Sequence, residues 1–81
     1  MKKANICGKR VKLARVNQDM DQVELAAALS VDCDIEIAQT SISEIERGER
    51  GVRDFELVAL AKILEVSAEW LLYGDKLPKQ K

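Results

Sequence analysis

The sequence predicts an all-α fold of five short helices, and three observations carry that prediction. Apolar residues recur at helical spacing along most of the chain, and N-cap residue types and glycines punctuate the runs. The one alternating stretch, residues 31–37, is too short to make a sheet by itself. At 81 residues the chain is expected to form a single domain over 1–81, since it cannot divide into two independent cores. With 47% apolar and 33% charged residues it should fold rather than stay disordered.

Each element follows from local pattern. Cys7, Val11 and Ala14 stand at i, i+4, i+7 and predict a first helix over 6–17. Asp21 has N-cap chemistry, and its spacing to Glu24 matches a capping box. Leu25, Ala26 and Leu29 then predict a short second helix that stops after Ser30. From Val31 to Ile37 apolar and acidic residues alternate (with Cys33 at the centre), which predicts an extended connector or one short strand. Ile35 or Ile37 should pack inward, with Asp32, Asp34 and Glu36 in water.

Ala38, Ser41, Ile42 and Ile45 resume the helical stripe, and Gly48 is a left-handed terminator for this third helix. Residues 54–64 are apolar almost all round, which predicts a central helix. Ser67 caps a last helix over 68–73 that Gly74 stops and Pro78 does not extend. The domain core should span about 6–74, with 75–81 a loose tail. Its expected interior is Val11, Ala14, Leu25, Leu29, Ile42, Ile45, Val58, Ala61, Leu64 and Trp70.

Composition removes several function classes. Without histidine, Ser-His and Cys-His nucleophiles are excluded. Cys7 and Cys33 are too far apart in sequence to make a ligand pair, so neither a metal nor any other cofactor is expected. No apolar run approaches a membrane span, and Met1-Lys2-Lys3 leads into no signal-type segment. A cytoplasmic protein with reduced thiols is expected, Cys7 buried and Cys33 more exposed. So small a chain has little room for an enzyme pocket. Binding is the expectation.

Charge is sharply segregated. Residues 1–18 hold six cations and no acid, whereas 19–46 hold eight acids and no base. Blocks of this kind steer charged partners through the local field rather than net charge. The third helix adds chemistry to that field. Gln39, Thr40, Ser43, Glu44 and Arg47 form a polar face opposite Ile42 and Ile45. Gln pairs with adenine, Ser and Thr adapt, and Glu accepts from the cytosine amino group. The same pattern also describes an ordinary amphipathic surface helix.

Three segments in order carry a resemblance that bears on that choice. They run from Gly8-Lys9-Arg10-Val11 to Asp21-Gln22-Val23-Glu24-Leu25-Ala26, over Ser41-Ile42-Ser43-Glu44-Ile45-Glu46-Arg47-Gly48, and from Asp54-Phe55-Glu56-Leu57 to Val66-Ser67-Ala68-Glu69-Trp70-Leu71-Leu72. Together they resemble the lambda-repressor-like (Cro/C1, XRE-type) helix-turn-helix family over about residues 6–74. The resemblance implies a sequence-specific DNA-binding regulator, a repressor of prophage or bacterial type, acting as a homodimer on double-stranded operator DNA. It puts Gln39, Thr40, Ser43 and Glu44 on base-reading positions. Gln22, Lys9, Arg10, Arg47, Arg50 and Arg53 fall on phosphate positions, with the N-terminal lysines beside them. Arg15 and Glu46 would form a structural ion pair.

Against the family pattern, the connector is longer than the shortest turn, and Asp19 stands where a glycine usually ends the first helix. Arg53 and Ala38 lack capping side chains. The acids of 19–46 oppose a phosphate field. They support an alternative, a protein-interaction module of the same fold (an antitoxin or regulatory subunit) whose acidic surface docks a basic protein. RNA has little support, because the chain offers no aromatic platform. With no sensor domain in the chain, control would come from abundance, a partner or a fused module.

Overall fold

The structure is a computed structural model and describes residues 3–76. Met1, Lys2 and residues 77–81, Pro78 among them, lie outside the described residues. Five α-helices run in order: α1 Gly8–Asn17, α2 Gln22–Cys33, α3 Gln39–Glu46, α4 Asp54–Leu64 and α5 Ala68–Tyr73. A single 3-10 turn, Gly74–Lys76, follows α5 among the described residues. No strand occurs among the described residues, and no helix there is long and apolar enough to cross a membrane.

The helix ends have identifiable chemical causes. Asp21 and Glu24 form the expected capping box, each side chain accepting from the other's backbone N–H at 2.8 Å. Ser67 accepts from the Trp70 N–H at 2.9 Å and caps α5. Asp19 and Gly48 take the expected left-handed conformation, φ 58° and 78°. α1 starts two residues later than its apolar spacing suggested, because Asn5 intervenes. Its Oδ1 accepts from the N–H groups of Cys7 (3.1 Å) and Gly8 (2.8 Å), leaving Ile6 in the turn and exposed.

The second helix corrects the sequence reading. α2 does not stop at Ser30 but continues through Val31 and Asp32 to Cys33. The reason is that Leu25, Leu29 and Cys33 keep one stripe against the core, at i, i+4 and i+8. Asp34 then turns left-handed (φ 56°), and the Ile35 N–H donates to the Leu29 carbonyl at 3.1 Å. The extended connector is therefore only residues 34–38. Ile35 and Ile37 both pack against the core, while Asp32, Asp34 and Glu36 are exposed as expected.

The interior joins all five helices. Val11 and Ala14, Leu25 and Leu29, Ile42 and Ile45, Leu60 and Leu64, and Leu71 are all buried. α2 packs on both α3 and α4, and α1 packs on the same two helices. Two expected core residues are misplaced. Val58 is 63% exposed and Trp70 is half-buried against the core edge; Ala59, Leu60 and Leu71 fill the interior instead. A helix of apolar residues all round is enclosed only if neighbours cover every face, and α4 has one uncovered face. The thiols are free, Cys7 buried and Cys33 half-buried, and burial pushes the Cys7 thiol pKa up.

Gly8 sets how closely α1 approaches α3. A Cβ there would lie 2.2 Å from the Ile45 carbonyl oxygen and 3.0 Å from that of Glu46. Gly8→Ala is therefore expected to lower stability by about 1–3 kcal/mol, since backbone must move to admit it. Ile45→Ala, removing a fully buried side chain at the same contact, should cost roughly 2–5 kcal/mol. Urea unfolding measures both; a Gly8→Ala variant as stable as the parent would show that the close approach is not a constraint.

Candidate nucleic-acid interface

The site rises from one buried carboxylate. Glu46, the last residue of α3, has 3% side-chain exposure, and a carboxylate buried so deeply needs hydrogen-bonded partners. Arg15 of α1 supplies the partner, with Nε donating to Oε2 at 2.6 Å and Nη2 to Oε1 at 3.0 Å. Its Nη1 donates to the Met20 carbonyl at 2.8 Å, so all three guanidinium nitrogens donate. The hydrogen bond to Glu46 raises the Arg15 pKa further above its ordinary value. The ion pair expected of Arg15 and Glu46 is present, bidentate and buried.

From that pair a hydrogen-bonded chain reaches the surface. Gln22, the first residue of α2, donates from Nε2 to Glu46 Oε1 at 3.0 Å. Gln39, the first residue of α3, donates from Nε2 to Gln22 Oε1 at 2.5 Å. The starts of two helices are thus held side by side, each with backbone N–H groups that no helix turn can satisfy. Both contribute a positive dipole end. Beside them Gln39, Thr40 and Glu44 are exposed. Ser43 is half-buried, and its hydroxyl accepts from Arg47 Nη1. The α3 face expected to read bases is therefore open, with Ser43 partly engaged.

The connector does not cross that face. Residues 32–35 instead border an open hollow with Phe55, Val58 and Lys62 of α4. The nearest acids are also less free than their number suggests. Asp21 and Glu24 cap α2, and Glu46 is neutralised by Arg15. Glu44 remains in water on the face itself.

The expected phosphate ligands divide into two groups. Arg10 is committed elsewhere: its Nε donates to the Leu71 carbonyl at 2.9 Å and its Nη2 to that of Leu72 at 2.8 Å. It fastens α1 to the end of α5, where terminal carbonyls lack helical partners. Arg50 grips the buried Glu56 with both Nη groups at 3.1 Å. That carboxylate also accepts from the Arg53 N–H at 2.9 Å, and so supplies the α4 N-terminus with the cap that Arg53 lacks. Arg47 makes a surface pair with Glu49 at 3.1 Å. Among the described residues Lys9 and Arg53 enter no salt bridge, and both are exposed. Gln22 lies at the α2 N-terminus as expected but is half-buried and spends its side chain on Glu46 and Gln39.

Two residues escaped the sequence reading. Asn5 donates from Nδ2 to the carbonyls of Ile45 (3.0 Å) and Arg50 (2.7 Å), tying the N-terminal arm to the loop after α3. No periodicity marks such a residue, because its partners lie at least forty positions away. Glu56 was detectable in principle, standing three residues after the α4 N-cap as a capping-box acid does.

Comparisons with known proteins agree with this geometry. A helix-turn-helix family profile matches residues 11–71. The transcriptional regulator DicA of Escherichia coli (strain K12) is 36% identical over 69 residues, covering 85% of this chain and 47% of that protein. The chain thus spans about half the length of the curated relative it matches. Among solved structures, the P22 c2 repressor in complex with a synthetic operator superimposes with a TM-score of 0.74 at 28% identity. That match covers 88% of this chain and 98% of the repressor chain. The restriction-modification controller protein C.AhdI from Aeromonas hydrophila gives 0.66 at 26% identity, covering 79% and 88%.

Two outcomes follow from these ion pairs. Glu46→Ala strands a buried guanidinium and should cost about 3–5 kcal/mol, whereas Arg15→Met with Glu46→Leu should recover most of that loss. Urea unfolding of both variants checks it, and a loss below 1 kcal/mol for the single variant would refute the pair's role. The pair with Arg50, first, and the Arg53 N–H hold the Glu56 pKa below its ordinary value. A depressed folded-state pKa contributes stability above the unfolded value and loses it as pH falls through the folded one. Acidification from about pH 5 should therefore destabilise the protein, and Glu56→Gln should flatten that part of a thermal-melt profile.

Proposed function

The chain belongs to the lambda-repressor-like helix-turn-helix family, and on that basis we propose that it is a sequence-specific DNA-binding transcriptional regulator, a repressor rather than an enzyme. The observation that carries the reading is the Gln22–Gln39 hydrogen bond seated on Glu46. It presents the outer face of α3 at a set angle to α2, which suits a helix entering the major groove. Gln39 is placed for an adenine edge, Thr40 for an adaptable contact, and Glu44 for the cytosine amino group. Ser43 serves the same face after releasing Arg47.

Phosphates would meet the free N–H groups at the start of α2 beside Gln22. Lys9 and Arg53 add uncommitted charge, with Lys3 of the N-terminal arm, and Arg47 can turn from Glu49 to DNA because that pair is exposed. Arg10 and Arg50 act through the framework they hold. The salt dependence should therefore be modest, about four phosphates per protomer. The regulator would act in the cytoplasm as a homodimer on a two-fold operator, with half-sites one helical turn apart.

Selection of bound duplexes from a random pool tests the reading directly. A two-fold repeat should emerge. Gln39→Ala should then weaken specific binding by about 1–3 kcal/mol and leave non-specific binding nearly unchanged. Glu44→Gln should raise non-specific affinity, by removing an acid from the phosphate field, while relaxing discrimination at one base pair. If no duplex is enriched, the reading fails and a basic protein partner for Asp32, Asp34 and Glu36 becomes the reading to pursue.

A further inference from the structure

Between the N-terminal arm, the start of α1 and the exit of α3 lies a hollow of about 520 Å³, in the size range of small-molecule sites. Its walls are fastened to one another. The Ala4 N–H donates to the Gly48 carbonyl at 2.8 Å, and Asn5 bonds the carbonyls of Ile45 and Arg50. The Lys3 stem lies over Gly48, where an added Cβ would stand 3.2 Å from its Cδ. The shape is therefore set without a ligand.

The lining is strongly cationic. Lys3, Lys9, Arg10 and Arg47 all border the hollow, with Glu46 and Glu49 as the acids. Glu46 is already neutralised by Arg15, and carbonyl partners leave the charge of Arg10 intact. Four cations against the one remaining acid leave a surplus of three positive charges. Lys3 and Lys9 enter no salt bridge among the described residues. Glu49 shows what fits: its carboxylate already takes Arg47 Nε and Nη2 at 3.1 Å each. Both partners are more than half exposed, so that pair is weak and a more highly charged anion can displace it.

We propose that this hollow binds a compact small molecule bearing two or more phosphate groups, and that its occupancy competes with DNA. Clustered positive charge favours ligand charge gathered at one point over charge spread along a backbone. Arg47 offers a planar fork for one phosphate, and the lysines offer point charges for another. No aromatic side chain lines the hollow among the described residues, so a nucleobase has no platform and phosphate carries the recognition. The competition, unlike the binding, rests on the DNA reading, which gives Lys3, Lys9 and Arg47 to backbone phosphates. An occupied hollow withdraws all three. Control of this kind needs no separate sensor domain.

Isothermal titration calorimetry with inorganic pyrophosphate, at constant ionic strength and without duplex, tests the site. Saturable one-to-one binding is expected, about tenfold tighter than that of sulfate. Lys3→Gln with Lys9→Gln should weaken it about tenfold, and Glu49→Gln, which frees Arg47, should strengthen it. Lys12→Gln removes an exposed lysine of α1 outside the hollow and should leave it unchanged. Circular dichroism checks that each variant is folded. Binding that does not saturate by about 10 mM overturns the proposal. So does sulfate binding as tightly, or Lys12→Gln costing as much as the Lys3 and Lys9 changes together. With an enriched duplex, pyrophosphate should raise the apparent Kd where salt-matched sulfate does not. Pyrophosphate that binds but leaves that Kd unchanged overturns the competition. Failure to enrich any duplex would count against the DNA reading and leave the calorimetric result standing, so the two failures are distinguishable.

Discussion

A carboxylate sealed at the end of the third helix is the constraint around which the rest is arranged. Burying Glu46 is tolerable only if its lone pairs are met, and two other helices supply the donors: Arg15 from α1 and Gln22 from α2. Desolvating such a pair costs several kcal/mol per ion, so its net contribution to stability is small. Its contribution to geometry is larger. The planar fork of Arg15 admits few arrangements, and Gln22 is held where Gln39 can reach it. The relation between α2 and α3 is thereby set from inside the molecule rather than by the connector, which explains how five non-helical residues can replace a tight turn.

The same economy governs the acids. A region of eight carboxylates and no base would repel any polyanion if all eight faced it. Instead Asp21 and Glu24 cap α2, and Glu46 is neutralised in the core. Asp32 and Asp34 border the hollow beside α4, Glu36 accepts from the Ser30 hydroxyl, and Asp19 turns left-handed after α1. Beyond the region, Glu49 and Glu56 occupy arginines that would otherwise be free. Local charge at the α3 face is therefore set by pairing and not by composition. Glu44 is the acid left exposed on the α3 face.

Framework contacts explain why some cations do other work. Arg10 meets the carbonyls that α5 leaves open, and Asn5 bonds both the arm and the loop after α3. These polar contacts brace the edges of a small domain whose largest fully buried side chains, among the described residues, are Val11, Leu25, Leu29, Ile42, Ile45, Leu60, Leu64 and Leu71 with Cys7. In a chain of 81 residues a single core supplies only modest stability, so such braces matter in proportion.

Local pattern in the chain was enough for the features that neighbouring residues create. The family resemblance supplied the pairing of Arg15 with Glu46 across 31 positions, while helical spacing, the Asp21–Glu24 box, Ser67, Gly48 and Gly74 placed five helices in order. The helix placements are short-range effects, so adjacent residues suffice to reveal them. Packing settled the rest. The alternation of 31–37 fits a strand and a helix end equally well, and only contact with the core carried α2 on to Cys33. A helix apolar on every side does not say which side will lack a neighbour, so Val58 was misplaced and the open face of α4 stayed hidden. Arg10 and Arg50 looked like phosphate ligands because charge is visible in sequence while its partners are not. Leu71 and Leu72 stand more than sixty residues from Arg10, and only chain folding brings their carbonyls within reach.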